Sequence, residues 1–354
     1  MSGGRKKALI AMSGGVDSSV AAKLMKERGF ECVGAMMKLY GGGGGGRSCC
    51  GLEDSFDARA VCDKIGIPFY VFNFTEDFEE RVVKKFVASY KRAETPNPCV
   101  DCNRYMKFER FARRAEEIGC DYIVTGHYAR VERSGGRFLL KKGADGAKDQ
   151  SYALYTISRE RLARTLFPIG ELTKREAREI AAAAGFANAR KRDSQDVCFI
   201  PDGDCGGFIE SFTGEKFPEG DFIDADGKVI GRHKGIIRYT VGQRKGLGVT
   251  APAPLYVRKI DPAANTVTLC ADEELFSKTL EIDDINLIAA DDIDGRLRAK
   301  VKIRYSHAEQ PAFIERTGAD RLRIEFDEPQ RAVTSGQAAV IYDGDTVIGG
   351  GRII

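Results

Sequence analysis

Several features are missing from the 354-residue sequence, and each absence excludes a class of protein. No apolar run approaches the roughly 18 residues that a membrane-spanning helix requires. The apolar stretch near the N-terminus covers only residues 8–12, which is too short for a secretory signal peptide. We therefore expect a cytoplasmic protein with no part in a membrane.

A dominant sign of charge is missing too, since 55 basic and 52 acidic residues give a formal net charge of +3. This balance neither requires nor excludes nucleic acid binding, because local patches matter more than the total. The length favours two or three domains, and the hydrophobic content of 43% predicts ordinary globular cores. We expect the ten cysteines of such a chain to be reduced and available for catalysis or metal binding.

Up to about residue 205, short apolar segments alternate with longer helical ones, which predicts βαβ units and a parallel sheet. We expect strands at 8–12, 32–38, 68–74 and 121–125, and helices at 17–28, 53–65, 76–92 and 103–118. A hairpin at 130–142 and a capping box of Thr173 with Glu176 are also predicted.

After residue 205 the helical periods vanish, and turns rich in glycine, proline and Asp-Gly separate short alternating segments. That pattern is typical of all-β domains. We expect an α/β domain at 1–205, a small, mainly β central domain at 206–280 and a C-terminal β domain at 281–354. The six glycines at 41–46 should form a mobile loop.

A glycine- and serine-rich turn, Met-Ser-Gly-Gly-Val-Asp-Ser-Ser at 12–19, joins the first predicted strand to the first predicted helix. Glycines let the backbone approach phosphate, and hydroxyl and helix N–H groups donate to it. Asp17 is placed to coordinate the Mg²⁺ that accompanies a nucleotide. No Walker loop occurs in the sequence. The turn instead resembles the PP-loop of ATP pyrophosphatases, which cleave ATP between the α- and β-phosphates and adenylate an oxygen of their substrate.

Two cysteines stand out by their surroundings. Cys102 ends the segment Thr-Pro-Asn-Pro-Cys-Val-Asp-Cys, where prolines stiffen the backbone and a predicted helix start would lower the thiol pKa. Cys198 follows the basic run 190–192, which would also favour a thiolate. A single cysteine is more often a small buried hydrophobic residue. That interpretation is kept for cysteines within apolar patterns, namely Cys32, Cys62, Cys120 and Cys270.

Further motifs follow the PP-loop and the Thr-Pro-Asn-Pro segment. They are Thr-Gly-His-Tyr at 125–128, Lys-Asp-Gln-Ser-Tyr at 148–152, Leu-Phe-Pro-Ile-Gly at 166–170, Tyr-Thr-Val-Gly-Gln-Arg-Lys-Gly-Leu-Gly at 239–248, Arg-Tyr at 304–305, Gly-Gln at 336–337 and three glycines at 349–351. In order and spacing they resemble the MnmA family of tRNA 2-thiouridylases over nearly the whole chain. The resemblance implies an α/β PP-loop ATP-pyrophosphatase domain (Rossmann-like), a small central domain and a C-terminal β-barrel that contacts tRNA.

The resemblance also implies an activity, an ATP-dependent sulfurtransferase that adenylates C2 of the wobble uridine of tRNA. Sulfur from a cysteine persulfide then replaces the oxygen and gives 2-thiouridine, and two routes stay open: direct attack of the persulfide on C2, or attack by sulfide that Cys102 releases. Cys102 would be the nucleophile and Cys198 the persulfide carrier, and a disulfide between them would await an external reductant. The implied cofactors are ATP and Mg²⁺, and the implied partners are tRNA and a persulfide sulfur donor protein.

The same resemblance assigns binding residues. Those implied for ATP are Ala11, Met12, Ser13, Gly14, Gly15, Val16, Asp17, Ser18, Met37 and Gly126. Those implied for tRNA are Asn97, Pro98, Cys99, His127, Lys148, Asp149, Gln150, Arg304, Tyr305 and Gln337. The first three tRNA residues would lie against the target base, which must leave its stack to be modified.

Cys99 departs from the family pattern, because many members have aspartate at this position. Cys99 and Cys102 form a Cys-x-x-Cys pair, a spacing found in zinc and iron–sulfur sites, and Cys198 could add a third ligand. No second Cys-x-x-Cys completes a zinc site, and the role of Cys49 and Cys50 stays open. We favour persulfide chemistry without a metal cluster and keep an iron–sulfur cluster as the alternative.

Basic and apolar residues alternate from Arg296 to Tyr305. On a strand, this period places the basic side chains on one face. Because the segment contains no acidic partner, we expect this basic face to contact the phosphates of a nucleic acid. The alternative is a strand whose outer face is merely solvated. Three rival functions remain: an amide-forming PP-loop ligase, a noncatalytic RNA-binding protein and an iron–sulfur redox protein.

Overall fold

The structure is a computed structural model that describes residues 5–40, 51–193 and 197–354. The predicted glycine loop at 41–46, Cys49 and Cys50 lie outside the described residues.

A parallel sheet forms the centre of the N-terminal part. Its strands are β1 (Lys7–Ala11), β2 (Glu31–Lys38), β3 (Phe69–Asn73), β4 (Tyr122–Val124) and β7 (Thr165–Leu166). They lie in the order β3-β2-β1-β4-β7, and every pairing is parallel. The predicted βαβ organisation is thus confirmed. Strand order reverses at β1, the place where ligands bind beyond the carboxyl ends of such sheets.

Helices cover the sheet and fill the connections. They are α1 (Val16–Glu27), α2 (Leu52–Ile65), α3 (75–91, in the segments Thr75–Phe78, Glu79–Val83 and Lys84–Lys91), α4 (98–117, in the segments Pro98–Asp101, Cys102–Phe111 and Ala112–Glu117), α5 (Arg159–Leu162), α6 (Lys174–Ala183) and α7 (Cys205–Thr213). The capping box of α6 is confirmed, since Thr173 Oγ1 accepts from Glu176 N and Glu176 Oε2 accepts from Thr173 N.

Helix α4 starts earlier than predicted, at Pro98 rather than at 103. Asn97 is its N-cap and accepts a hydrogen bond from Cys99 N at 3.1 Å. Proline suits the first helical position because its missing N–H would have no intrahelical partner there. The predicted helix leaves out both prolines, whereas the second one, Pro98, begins the observed helix.

The C-terminal part is a barrel. Its strands are β12 (Phe276–Leu287), β13 (Arg296–Lys302), β14 (Gln310–Gly318), β15 (Arg321–Arg331), β16 (Ala338–Asp343) and β17 (Thr346–Ile353). Pairing of β12 with β17 closes the ring. The predicted hairpin, β5 (Ala129–Ser134) with β6 (Arg137–Lys142), joins β17 at its edge through Lys141 and Thr346.

Between these parts lies a small sheet in the order β10-β11-β8-β9. Its strands are β8 (Gly220–Ile223), β9 (Val229–His233), β10 (Tyr256–Asp261) and β11 (Thr266–Cys270). The predicted class, an α/β domain followed by a small β domain and a β-barrel, is confirmed. The boundaries at 205 and 280 stay a prediction, and β12 runs across the second.

One apolar cluster is continuous through all three parts and includes Phe108, Phe222 and Val340. The barrel, the central sheet and α4 therefore share one continuous core, whose close packing resists movement of one part relative to another. Across the described ranges, no helix is long and apolar enough to cross a membrane.

Candidate functional site

The turn between β1 and α1 has the backbone shape that a phosphate site needs. Gly15 is the N-cap of α1 and offers no side chain, so no capping side chain occupies the N–H groups of the first turn. Gly14 has φ +73°, and a Cβ there would collide with the backbone of Asp54. Position 14 therefore requires glycine, and the turn presents its helix N-terminus to a ligand.

Residues predicted to contact ATP come together around this turn. Ser18 Oγ accepts from Ser13 N at 3.2 Å and donates to Gly15 O at 3.1 Å. A Cβ on Gly126 would lie 2.7 Å from Ser18 N, so the loop after β4 touches the start of α1. Met37 lies near the carboxyl end of β2 and is 8% exposed.

Asp17 is held by Tyr128 and Lys174, two side chains to which no role was assigned from the sequence. Its Oδ1 accepts from Tyr128 OH at 2.8 Å, and Lys174 Nζ donates to Oδ1 and Oδ2 at 2.9 and 2.8 Å. Lys174 is 12% exposed and also pairs with Asp193 at 2.7 Å. An incoming Mg²⁺ would have to compete with these donors for the carboxylate oxygens of Asp17.

Asp193 joins several cations close to the segment that carries Cys198. Besides Lys174, it pairs with Lys148 at 2.8 Å and with Arg178 at 3.5 Å. Partial burial raises the pKa of Asp193, but Lys148 and Lys174 together lower it by more, so the net shift of the pKa is downward. The network connects the PP-loop to Lys148, which was predicted to touch tRNA.

The two cysteines of α4 do not sit where the sequence predicted. Cys99 is in the first turn and is exposed, whereas Cys102 is in the second turn and is half-buried. The helix start is therefore placed to favour a thiolate at Cys99 and not at Cys102. Surrounding protein nevertheless raises the pKa of Cys99, and Lys107 offsets only part of this rise.

The barrel holds the start of α4 in place. Thr95 N donates to Ser335 O at 2.8 Å, and Gln337 Nε2 donates to Thr95 O at 2.7 Å. Gly336 has φ +89°, and a Cβ on it would approach Thr95 N to 3.0 Å. Gln337, predicted to support tRNA binding, thus directs its amide at the backbone that precedes the cysteines.

Cys198 is half-buried and follows the part of the chain that is not described. The neighbouring Phe199 is 3% exposed and packs edge-on against Phe86, with ring centroids 5.4 Å apart. Cys198 and Cys102 both pack against the apolar cluster that contains Phe199. Lys191, from the basic run that was expected to favour a thiolate, is in ion pairs with Asp54 and Asp57 of α2.

A metal cluster at the cysteines has no support in the geometry. Across residues 5–40, 51–193 and 197–354, no group of three or more histidine, cysteine, aspartate or glutamate side chains could hold a metal ion. The set of Cys99, Cys102 and Cys198 does not fit an iron–sulfur cluster in this arrangement. The eight cysteines in the described ranges are present as thiols.

Two of the three residues at 148–150 that were predicted to bind tRNA accept hydrogen bonds from the protein backbone nearby. Asp149 accepts hydrogen bonds from Gly143 N and from Ser151, and Gln150 accepts one from Tyr128 N. These two residues fix the local backbone. Tyr305 is 47% exposed, and burial with Asp149 nearby raises the pKa of its phenol. Cys99, Lys148 and Asp149 all lie within electrostatic reach of this ring, so these predicted residues share one surface.

The basic strand differs from its prediction. Arg296 and Arg298 lie over the ring of Phe313 and reach Glu325 and Asp327, so the expected absence of acidic partners is wrong. These partners belong to β15, which the local sequence of β13 could not indicate. Arg304 lies beyond the end of β13 and donates to Ala332 O and to Thr334 Oγ1.

Lys300 and Lys302 behave differently from the arginines. Lys300 is exposed and has no ion pair with any residue in the described ranges. Lys302 Nζ lies 5.5 Å from the ring centroid of Tyr305, and burial lowers its pKa. The alternation of exposure along β13 is as predicted, but among its cations Lys300 alone is both exposed and without an ion pair to the described residues.

Comparison with known proteins extends over the whole chain. Three family models match: a tRNA methyl transferase HUP domain at residues 6–202, a tRNA methyl transferase PRC-barrel domain at 206–271 and an aminomethyltransferase beta-barrel domain at 277–353. The chain is 49% identical over 353 residues to the tRNA-specific 2-thiouridylase MnmA of Clostridioides difficile, and 98% of each chain is covered. The chain belongs to the MnmA family.

A second MnmA relative, from Lachnoclostridium phytofermentans, is 47% identical over 355 residues with 99% of each chain covered. A solved complex of a 4-thiouridine synthetase with RNA and ATP is 19% identical, with a TM-score of 0.39 over 58% of this chain and 50% of that chain. That second likeness is too low to bear on function. The expected family resemblance is confirmed by the MnmA relatives.

Thiol reactivity should follow this geometry. Burial raises the pKa of Cys32 to about 11 and of Cys62 to about 12, so both stay protonated at mildly alkaline pH. We expect iodoacetamide to label Cys99 and Cys198 in the folded protein well before Cys32 and Cys62, as measured by peptide mass spectrometry. Equal labelling of Cys62 and Cys198 before denaturation would contradict the description.

Proposed function

We propose that this member of the MnmA family is a tRNA-uridine 2-sulfurtransferase that acts in the cytoplasm. It uses ATP to adenylate C2 of the wobble uridine and a cysteine persulfide to replace the oxygen. The observation that carries the proposal is the direct connection between the PP-loop and the cysteine helix. Gly126 packs on the start of α1, and the next residue, His127, bonds to Lys107 of α4.

ATP would bind with its phosphates at the start of α1. Residues 11–18 and Gly126 surround this position, and Met37 lies at the end of the neighbouring strand. Asp17 would supply a carboxylate to Mg²⁺, which neutralises charge as pyrophosphate departs. Lys174, released from Asp17 by the metal, would still be held by Asp193.

The reaction would proceed in two steps. The C2 oxygen attacks the α-phosphate, so that a C2–O–P linkage forms and pyrophosphate leaves. The terminal sulfur of a Cys198 persulfide then attacks C2, and AMP leaves with the uracil oxygen. The Cys102 thiolate attacks Cys198 Sγ, which frees the thiocarbonyl and joins the two cysteines in a disulfide. A thiol reductant, which the cell must supply together with the persulfide donor, restores both cysteines.

The tRNA would lie across the surface shared by Lys148, Tyr305 and Cys99, with Asn97 and Pro98 next to the target base. Lys300 of the barrel offers an unpaired charge to a phosphate. His127, Asp149, Gln150, Arg304 and Gln337 would support this surface through the backbone and side chains that they hold.

Nucleoside mass spectrometry tests the proposal. The names of the family models refer to methyl transfer, whereas the named relatives are thiouridylases. Replacement of oxygen by sulfur and addition of a methyl group change the mass of uridine by different amounts. We expect tRNA incubated with the protein, ATP, Mg²⁺ and a persulfide donor to contain 2-thiouridine. Pyrophosphate release that depends on an amino acid or ammonia instead of tRNA would indicate a ligase.

Asp17→Asn tests the metal role. The amide keeps the shape of the side chain but is a poor ligand for Mg²⁺, so tRNA-dependent pyrophosphate release should fall by roughly a hundredfold or more. Affinity for tRNA, measured by filter binding, should stay unchanged. Asp63→Asn, at an exposed position of α2, serves as the control. Normal turnover of Asp17→Asn at limiting ATP would remove Asp17 from the metal site.

Cys102→Ser and Cys198→Ser test the two thiols. Neither variant can form the Cys102–Cys198 disulfide, so multiple turnover should be lost in both while ATP and tRNA still bind. Thiolation is followed over time at excess tRNA, with Cys270→Ser as a buried-cysteine control. Steady accumulation of thiolated tRNA with either variant would contradict the mechanism.

Lys300→Gln and Arg298→Gln compare an unpaired with a paired cation on the same strand face. Loss of one phosphate contact should reduce the slope of log affinity against log salt by about 0.7 to 0.9. We expect the slope to fall by this amount in Lys300→Gln and by less in Arg298→Gln, because Arg298 is already in an ion pair with Asp327. Equal slopes for both variants and the unmodified protein would assign this face to solvent.

A further inference from the structure

Lys107 occupies an unusual position on α4. Its Nζ lies 3.2 Å from His127 Nε2, and His127 Nδ1 lies 2.6 Å from Thr125 Oγ1. An ammonium group can only donate, so we assign Nε2 as the acceptor and place the ring proton on Nδ1, which donates to Thr125. A chain of three side chains thus aims the ammonium of Lys107.

His127 is fixed where it stands. The residue is 8% exposed, and its ring packs edge-on against Phe167 at 5.9 Å and tilted against Phe108 at 6.2 Å. Burial, and secondly the charge of Lys107, hold the pKa of His127 well below its ordinary value. The imidazole is therefore neutral, and it orients the ammonium of Lys107 without cancelling its charge as a carboxylate would.

The surroundings of Lys107 place this charge between the two halves of the site. On one side, Gly126 precedes His127 and touches the backbone of Asp17 and Ser18 at the start of α1. On the other side, the charge of Lys107 reaches the thiol of Cys99. In the proposed reaction the α-phosphate is joined first to the other phosphates of ATP and then to the target uracil, so it is the group expected between these two sides.

We propose that Lys107 is a catalytic residue that binds the α-phosphate during both steps of the reaction, and that His127 is the positioning residue that aims it. The inference rests on the proposed function. When the uracil oxygen attacks, the bond from the α-phosphorus to the bridging oxygen breaks and pyrophosphate leaves with the electron pair. When sulfur attacks C2, the C2–O bond breaks and AMP leaves with its electron pair. Negative charge stays on the α-phosphate oxygens throughout, and a fixed cation stabilises it.

Lys107→Met tests the charge, since it keeps the length of the chain and removes the ammonium. Removal of one preorganised group of this kind costs about a hundredfold to a thousandfold in kcat. We expect that loss in tRNA-dependent pyrophosphate release at saturating ATP and tRNA, with unchanged tRNA affinity. Lys107→Arg should retain part of the activity. Arg113→Met, which removes an exposed cation from the same helix, should have normal kcat.

His127→Leu tests positioning, because it keeps an apolar body between the two phenylalanines and removes the acceptor. It should lower kcat, and the double variant with Lys107→Met should lose no more than Lys107→Met alone, since both changes disable one group. A purely structural role of His127 would make the two losses multiply, which would overturn its assignment.

The reactivity of Cys99 reports the position of the Lys107 charge without a measurement of turnover. The pH at which Cys99 is half-reactive towards iodoacetamide should rise in Lys107→Met, because a neighbouring cation favours the thiolate. An unshifted profile, or normal kcat in Lys107→Met, would overturn the proposal for Lys107. Failure of the unmodified protein to make 2-thiouridine would instead overturn the proposed function, and the Cys99 profile would still report where the lysine lies.

Discussion

Both backbone groups of Thr95 are bonded to the barrel, the N–H to Ser335 and the carbonyl to Gln337, and the geometry of the site depends on this attachment. Asn97 then caps α4, so the direction of the helix and the positions of its cysteines are set where the barrel meets it. Arg104 of α4 adds an ion pair with Asp284 of β12 at 2.6 Å. The barrel therefore holds the reacting residues in position, in addition to offering a surface for RNA. Without the barrel, the start of α4 would lose these contacts and the cysteines would no longer be held in place.

Electrostatics connect the same elements in a second way. Asp17 of the PP-loop, Lys174, Asp193 and Lys148 form a continuous series of ion pairs from the nucleotide loop to the predicted tRNA surface. Buried or half-buried pairs of this kind are costly to leave unpartnered. Any ligand that draws on Asp17 or Lys148 thus changes the balance at Asp193, close to the segment that leads to Cys198.

Much of the fold could be predicted from the sequence, because apolar periodicity and turn residues are local properties. The βαβ units, the hairpin and the PP-loop could be predicted in this way. The start of α4 was predicted too late because proline is unfavourable inside a helix, although it suits a first helical turn. The partners of Arg296 and Arg298 lie on β15, so only the sheet could show them. Lys107 and Lys174 were missed because an isolated lysine has no spacing that distinguishes it.

In the proposed reaction, the C2 oxygen of the uridine is activated as an adenylate and leaves with AMP. The most direct measurement follows that oxygen atom. A tRNA with a heavy oxygen isotope at C2 of the wobble uridine is incubated with the protein, ATP, Mg²⁺ and a persulfide donor. The mass of the released AMP is then measured by mass spectrometry. If the C2 oxygen leaves with AMP, the isotope should appear in the phosphate of AMP in step with 2-thiouridine. Formation of 2-thiouridine together with unlabelled AMP would contradict it.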